Sequence, residues 1–209
     1  MCSCYTRHVP RTTFDSSYYS RFYGSRPVHS KTEVANLASA VHALLAWWQA
    51  PIRSMLEVGA GRGHWSSWYR KNHSQVKVVS IDISAHACAE YGHEQRDISQ
   101  WRPRYPFDLV TCVGVLQYLD DTAAARAIKN LAAATRTALY LEVPTHFDMA
   151  HVVERKSTDL DVYVRSGVWY RKHLAKHFDE AGAGLWIRNG SGVMLYELEH
   201  HAKPRDRRR

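Results

Sequence analysis

The sequence predicts an α/β fold: a single doubly wound, mostly parallel sheet with helices on both faces, closed by a C-terminal antiparallel hairpin. Three observations lead there. An apolar run at 55–58 ends in alternate glycines, Gly59, Gly61 and Gly63, and continues into helix-forming sequence. A second apolar run, 76–82, ends in an acid, Asp82; the step from Gly59 to Asp82, about 23 residues, is that of one strand–helix–strand unit. Further strand-like runs at 107–113 and 137–143 alternate with helical spacing, and 184–199 reads as two strands around Asn189-Gly190.

In chain order, residues 1–29 are polar and aromatic, with a Tyr-rich stretch at 18–23. A helix follows. Ser30 and Glu33 have capping-box spacing, Val34, Leu37, Ala38, Val41, Leu44, Leu45 and Trp48 share one face, and Pro51 stops it. Residues 55–58 are expected as the first strand, 65–72 as a helix, 76–84 as the second strand and 85–91 as a short helix. The stretch 93–101 stands where a third strand should end but is polar, which predicts a short edge. The strand at 107–113 leads into a turn at 114–121, and Asp120 or Asp121 caps an Ala-rich helix to about residue 135. Pro144 stops the strand at 137–143. Residues 145–168 have no clear period and offer His146, His151, Tyr163 and Arg165 as polar candidates. A last helix is predicted over 169–183, with Tyr170, Leu174, Phe178 and Ala181 on one face and Gly182 as its cap.

The chain has 209 residues, enough for one domain with a full core. No apolar run reaches the roughly 20 residues of a membrane span, and the first residues lack a signal-peptide core, so a cytoplasmic protein is expected. The net charge of +8 sits at the ends. Arg7, Arg11, Arg21 and Arg26 face only Asp15 in residues 1–30. Lys203, Arg205, Arg207, Arg208 and Arg209 face only Asp206 at the other end, and 31–202 is close to neutral. The division expected is 1–30 as an aromatic and basic segment, 31–200 as the folded domain and 201–209 as a basic, disordered tail. Cys2 and Cys4 lack a later pair at zinc spacing, and Cys88 and Cys112 fall in a helix and a strand as small buried hydrophobes. No metal and no disulfide are expected.

The glycine turn decides the ligand class. A dinucleotide fingerprint needs its third glycine where His64 stands, and a phosphate loop needs a Lys-Ser/Thr pair that does not follow. The run Glu57-Val58-Gly59-Ala60-Gly61-Arg62-Gly63 resembles the first motif of class I S-adenosylmethionine-dependent methyltransferases. So does the stretch 107–121, with its Asp-apolar-apolar start and Val115-Leu116-Gln117-Tyr118-Leu119 end. The resemblance covers about residues 31–200 and implies a seven-stranded sheet.

It also implies a cofactor site. Glu57 would act on the methionine end, Gly59, Ala60 and Gly61 would clear space, and Asp82 with Ile83 would meet the ribose. Asp97 would accept from the adenine amino group and the Ile98 amide would reach the ring. Val113 and Gly114 would lie over the ligand. The Tyr-rich segment, Tyr19 included, is either a lid over this pocket or a helical turn packed on the domain. Capping roles for Asp82 and Asp97 stay open beside these.

The function expected is methyl transfer to an oxygen or nitrogen of a small molecule, without a metal. Gln117 and Tyr118 stand where many relatives carry an acid and a histidine, and glutamine cannot be a base. Candidates for a base or substrate contact are His146, Tyr118, His173 and Glu142. Strands four and five lack the Asp and Asn ligands of the magnesium-dependent catechol-type enzymes, and no Asn-Pro-Pro-Tyr motif points to DNA base amines. Two rivals remain. An RNA methyltransferase would use the basic ends, though a nucleic acid partner is disfavoured; a non-catalytic scaffold would bind cofactor without turnover. A monomer or homodimer is expected.

Overall fold

A computed structural model of the chain describes residues 13–24 and 27–200. Seven strands form one sheet: β1 (Ser54–Val58), β2 (Lys77–Asp82), β3 (Glu94–Gln95), β4 (Phe107–Val113), β5 (Thr135–Glu142), β6 (Phe178–Gly182) and β7 (Leu185–Arg188). Their order across the sheet is β3-β2-β1-β4-β5-β7-β6. The first five pair in parallel, whereas β7 runs antiparallel to both β5 and β6. Strand order reverses between β1 and β4. Crevices at the carboxyl ends of strands, at such a reversal, are where α/β sheets hold ligands.

Side chains alternate between two apolar layers. Leu56, Val110, Cys112 and Leu139 face one layer with Ile128 and Leu131 of α5 (Asp121–Ala134) and Leu174 of α7 (Gly167–Leu174). Met55, Leu109, Ala138 and Tyr140 face the other, with Val41 and Leu45 of α2 (Lys31–Trp47) and Trp65 and Tyr69 of α3 (His64–Asn72). Burying both faces is why the central strands read as near-continuous apolar runs. The capping box at Ser30 and Glu33 forms as predicted. Asp120 caps α5, while Asp121 turns to Arg165. The polar third strand is two residues long.

The C-terminal part differs from expectation in its register. The helix predicted over 169–183 ends at Leu174, and Phe178–Gly182 is β6. The hairpin turns at Ala183 and Gly184, both at positive φ (49° and 79°), a pair of values that matches right-twisted strands. Helical spacing of Phe178 and Ala181 yields to pairing with β7. Asn189-Gly190 is a turn after β7, and residues 193–199 form no strand. The reason is topological: β7 already has β5 on one side and β6 on the other, so both of its edges are taken. The segment expected to be irregular contains α6 (His146–His151), capped by Thr145 and Asp148.

His42 of α2 stacks on His73 with ring centroids 3.8 Å apart, beside Trp68 and Tyr69. Burial, and then the charge of His73, hold the His42 pKa below that of an ordinary histidine. The unfolded chain takes up this proton near pH 6.5 while the folded chain resists it, so stability falls as pH drops below about 6.5. We expect the fall in Tm between pH 7 and pH 5 to be smaller in His42→Phe than in wild type. Parallel melting curves for the two proteins would remove this assignment.

Candidate active site

Three loops at the carboxyl ends of β1, β2 and β4, with residues 96–98 after β3, enclose a cavity, and a helix lies across it. The first loop follows β1. Gly59 has φ +66°, and a Cβ there would fall 2.1 Å from a Val115 methyl group, so only glycine fits. Gly61 (φ +54°) would direct a Cβ towards the rings of Tyr19 and Tyr23, the cavity side. Beneath the loop Glu57 is 5 % exposed and accepts from the amides of Ser66 (2.9 Å) and Trp65 (3.3 Å). It thus closes the N-terminus of α3, where a carboxylate is favoured. Burial nevertheless pushes its pKa up to about 7.

The second loop follows β2. Asp82 Oδ2 accepts from the Gly61 amide and Oδ1 from the Ser84 amide, each at 2.8 Å. One acid thereby ties the end of β2 to the glycine turn, and its remaining lone pairs are left for a ligand. Ile83 and Ile98 line the cavity beside it, as does Asp97. The Asp97 carboxylate accepts from the Ser99 amide and the Gln100 side chain, both at 2.8 Å, so the capping role is present. The third loop, after β4, brings Val113, Gly114 and Val115 to the same cavity.

The covering helix is α1 (Ser16–Tyr23), capped by Asp15. Tyr19 is buried and Phe14, Tyr18, Tyr19 and Tyr23 line the cavity from above. Phe14 meets Tyr118 edge-on at 4.9 Å and Tyr18 at 5.1 Å. The hydroxyls of Tyr18 and Tyr118 are 2.8 Å apart, and Ser84 donates to the Phe14 carbonyl at 2.5 Å. The Tyr-rich segment thus packs on the domain as a short helix, and its rings line the cavity. Burial raises the phenols of Tyr18, Tyr19 and Tyr118 above the usual tyrosine range. Tyr118 lines the cavity, with its hydroxyl bonded to Tyr18 and donating to Asp159 at 3.3 Å.

Other sequence candidates fall elsewhere. Glu57 and Ala60 are buried under the loop and do not line the cavity; Ala60 donates its amide to Ile81 O. His146 is exposed on α6 and His173 stacks on Trp169 of α7 while bonding the Trp169 carbonyl, so neither reaches the cavity. Glu142 ends β5 in register with Val113 and bonds His29 at 2.9 Å. Arg165 is internal. It pairs with Asp121 at 2.8 Å, donates to the carbonyls of Leu116 and Leu119, and lies over the Trp169 ring. Arg7, Arg11, Cys2, Cys4 and the tail at 201–209 lie outside the described residues.

Sequence reading missed His93. It is buried, with Nε2 3.0 Å from Gly61 O and Nδ1 2.8 Å from Ser80 Oγ. A carbonyl only accepts, so Nε2 carries the proton and the Ser80 hydroxyl donates to Nδ1. His93 therefore clamps the glycine turn from the side opposite Asp82. A histidine in a polar edge stretch carries no local signal of this.

Among the described residues no three His, Cys, Asp or Glu side chains converge as a metal set, and no helix is long and apolar enough to cross a membrane.

A glycine turn after the first strand, an acid closing the second and a seven-stranded sheet ending in a reversed hairpin define the class I methyltransferase architecture. The methyltransferase-domain family model matches residues 29–186. The chain belongs to that family, and it is an S-adenosylmethionine-dependent methyltransferase. A search of curated protein sequences gives no match.

Solved structures of similar fold include a sugar N-methyltransferase from Streptoalloteichus sp ATCC 53650, with 15% identity, TM-score 0.62 and coverage of 90% of this chain and 96% of that one. Magnesium protoporphyrin IX methyltransferase from Synechocystis PCC 6803 with bound S-adenosylhomocysteine gives 19%, 0.59, 84% and 95%. The plantazolicin methyltransferase, in complex with a plantazolicin analogue, gives 13%, 0.57, 77% and 66%.

Proposed function

We propose that this chain moves a methyl group from S-adenosylmethionine to an oxygen or nitrogen of a small molecule, without a metal. The observation that carries the reading is the cavity at the ends of β1, β2 and β4, cleared by two glycines, closed by Asp82 and roofed by aromatic rings. Bound there, the cofactor would supply an electrophilic methyl group on a sulfonium. Asp82 would accept from the ribose hydroxyls, and Asp97 with Ile83 and Ile98 would surround the adenine. Val113 and Gly114 would lie along the side facing the acceptor. The rings of Phe14, Tyr18, Tyr19 and Tyr23 keep water from the site, which methyl transfer needs. The similar structures, a sugar, a porphyrin and a plantazolicin methyltransferase, support an acceptor that is not a nucleic acid.

The direct test is S-adenosylhomocysteine release from a panel of hydroxyl- and amine-bearing compounds and from RNA, with and without a chelator. Turnover abolished by the chelator would overturn metal independence. Turnover confined to RNA would overturn the acceptor class. A second measurement addresses the roof. Tyr18→Phe removes the hydroxyl bond to Tyr118, worth about 1 kcal/mol net, so cofactor dissociation is expected to speed up about fivefold. An unchanged dissociation rate would mean that the roof does not retain the ligand.

A further inference from the structure

We infer that His29 and Glu142 form a general-base dyad that takes the proton from a hydroxyl acceptor. The inference rests on the cofactor reading above and adds to it a catalytic residue and an acceptor class.

The placement comes from sheet register. Val113 lines the cofactor cavity, and Glu142 is its partner on the next parallel strand. Paired positions on neighbouring strands send their side chains to the same face, about 5 Å apart. The Gly114 amide donates to the Glu142 carbonyl at 3.0 Å, which fixes the two strand ends together. Glu142 therefore stands one strand beyond the cavity wall, on the side away from β2 and Asp82. An acceptor approaching the methyl group from beyond β4 meets it. The dyad is half open to solvent, with side-chain exposures of 46% and 40%, unlike the roofed cavity beside it.

The chemistry comes from the atoms. Glu142 Oε1 is 2.9 Å from His29 Nε2, and Oε2 accepts from the Tyr140 hydroxyl at 3.3 Å. A carboxylate only accepts, so Nε2 carries the proton and Nδ1 keeps its lone pair. Among the described residues nothing occupies Nδ1. A histidine oriented through one nitrogen by a carboxylate, with the other nitrogen free, is a general base. The charged groups facing His29 are Glu142 and, from the first turn of α2, Glu33. The hydrogen bond to Glu142 leads in raising its pKa, against an opposing desolvation, and Glu142 is held below the usual carboxylate range by the same bond. The pair thus strengthens the base while keeping the acid ionised.

The step balances. The acceptor oxygen forms the new O–CH3 bond while the S–CH3 bond breaks, its electron pair going to sulfur. The hydroxyl proton passes to Nδ1, and the resulting imidazolium faces the Glu142 carboxylate. The positive charge lost by the sulfonium appears on His29. A free amine needs no such base, so the dyad points to an O–H acceptor. Glu142 acts through His29 and is a positioning residue.

The test has two arms. In the first, nitrogen-15 NMR of the labelled protein follows each histidine with pH. His29 should titrate above an ordinary histidine and, when neutral, show the Nε2–H tautomer; in Glu142→Gln its midpoint should move down. An Nδ1–H tautomer, or a midpoint unmoved by Glu142→Gln, would overturn the dyad whatever the acceptor. In the second arm, His29→Ala is run against the hydroxyl-bearing members of the acceptor panel. Turnover should fall about 10²- to 10⁴-fold with cofactor affinity unchanged by calorimetry, and Glu142→Gln should move the acid limb of the pH–rate profile to lower pH. Turnover within threefold of wild type in His29→Ala would overturn the inference alone. Wild type that binds no cofactor would instead overturn the reading beneath it.

Discussion

Asp82→Ala is expected to weaken S-adenosylmethionine binding by about two to three orders of magnitude. The carboxylate does two jobs at once. It accepts from the amides of Gly61 and Ser84, and it presents its remaining lone pairs to the cavity. Hydrogen bonds to a charged group are worth about 1.5–3 kcal/mol each, so losing two to a ribose costs roughly 3–4 kcal/mol. The glycine turn loses its anchor in the same change. Asp82→Asn should fall between the two, because its amide nitrogen cannot accept from both backbone groups. Calorimetric titration with the cofactor decides it, and an affinity within threefold of wild type would rule out this role for Asp82.

Arg165→Ala is expected to cost about 3–5 kcal/mol of stability, because it leaves two buried carbonyls without their charged donor and opens the space its side chain fills. The side chain of Arg165 is 4% exposed. Its guanidinium satisfies the carbonyls of Leu116 and Leu119 in the turn after β4 and touches the Tyr170 hydroxyl. Without it those groups are left buried and unpaired. A fall in Tm of roughly 10 °C should follow. Asp121→Ala removes the other end of the same ion pair, but that side chain is 71% exposed, so the change should be under about 1 kcal/mol. Equal losses for the two variants would show that the ion pair, and not the carbonyl network, is what Arg165 supplies.

The contrast between these residues explains what the sequence made legible. Asp82 could be found because its signal is local: an apolar strand, an acid at its end and the glycine turn one unit earlier. The capping box at Ser30, a cap at Asp120 or Asp121 and a short third strand were readable for the same reason. Arg165, His93 and His29 could not be placed, since each acts on residues far away in the chain. His29 meets Glu142 across 113 positions, and His93 meets Gly61 across 32. The hairpin failed similarly. Tyr170, Leu174, Phe178 and Ala181 have helical spacing, yet pairing between β6 and β7, with β5 beyond, outweighs it. His146 and His173 looked like bases because histidine exchanges protons near neutral pH; tertiary structure placed both away from the cavity.

The aromatic roof has a consequence for the order of events during catalysis. Phe14 and Tyr18 are held by Ser84 and Tyr118, which stand in the loops after β2 and β4 that build the cavity itself. With a donor bound beneath these rings, exchange would need α1 to lift, whereas the flank with His29 and Glu142 is half open to solvent as it stands. The donor would then enter before the roof settles, and its spent form would leave after it rises. The acceptor and its methylated product can come and go between those two movements. Ordered sequential kinetics, with the donor binding first and its spent form leaving last, is the expected result of that arrangement, and product-inhibition patterns check it.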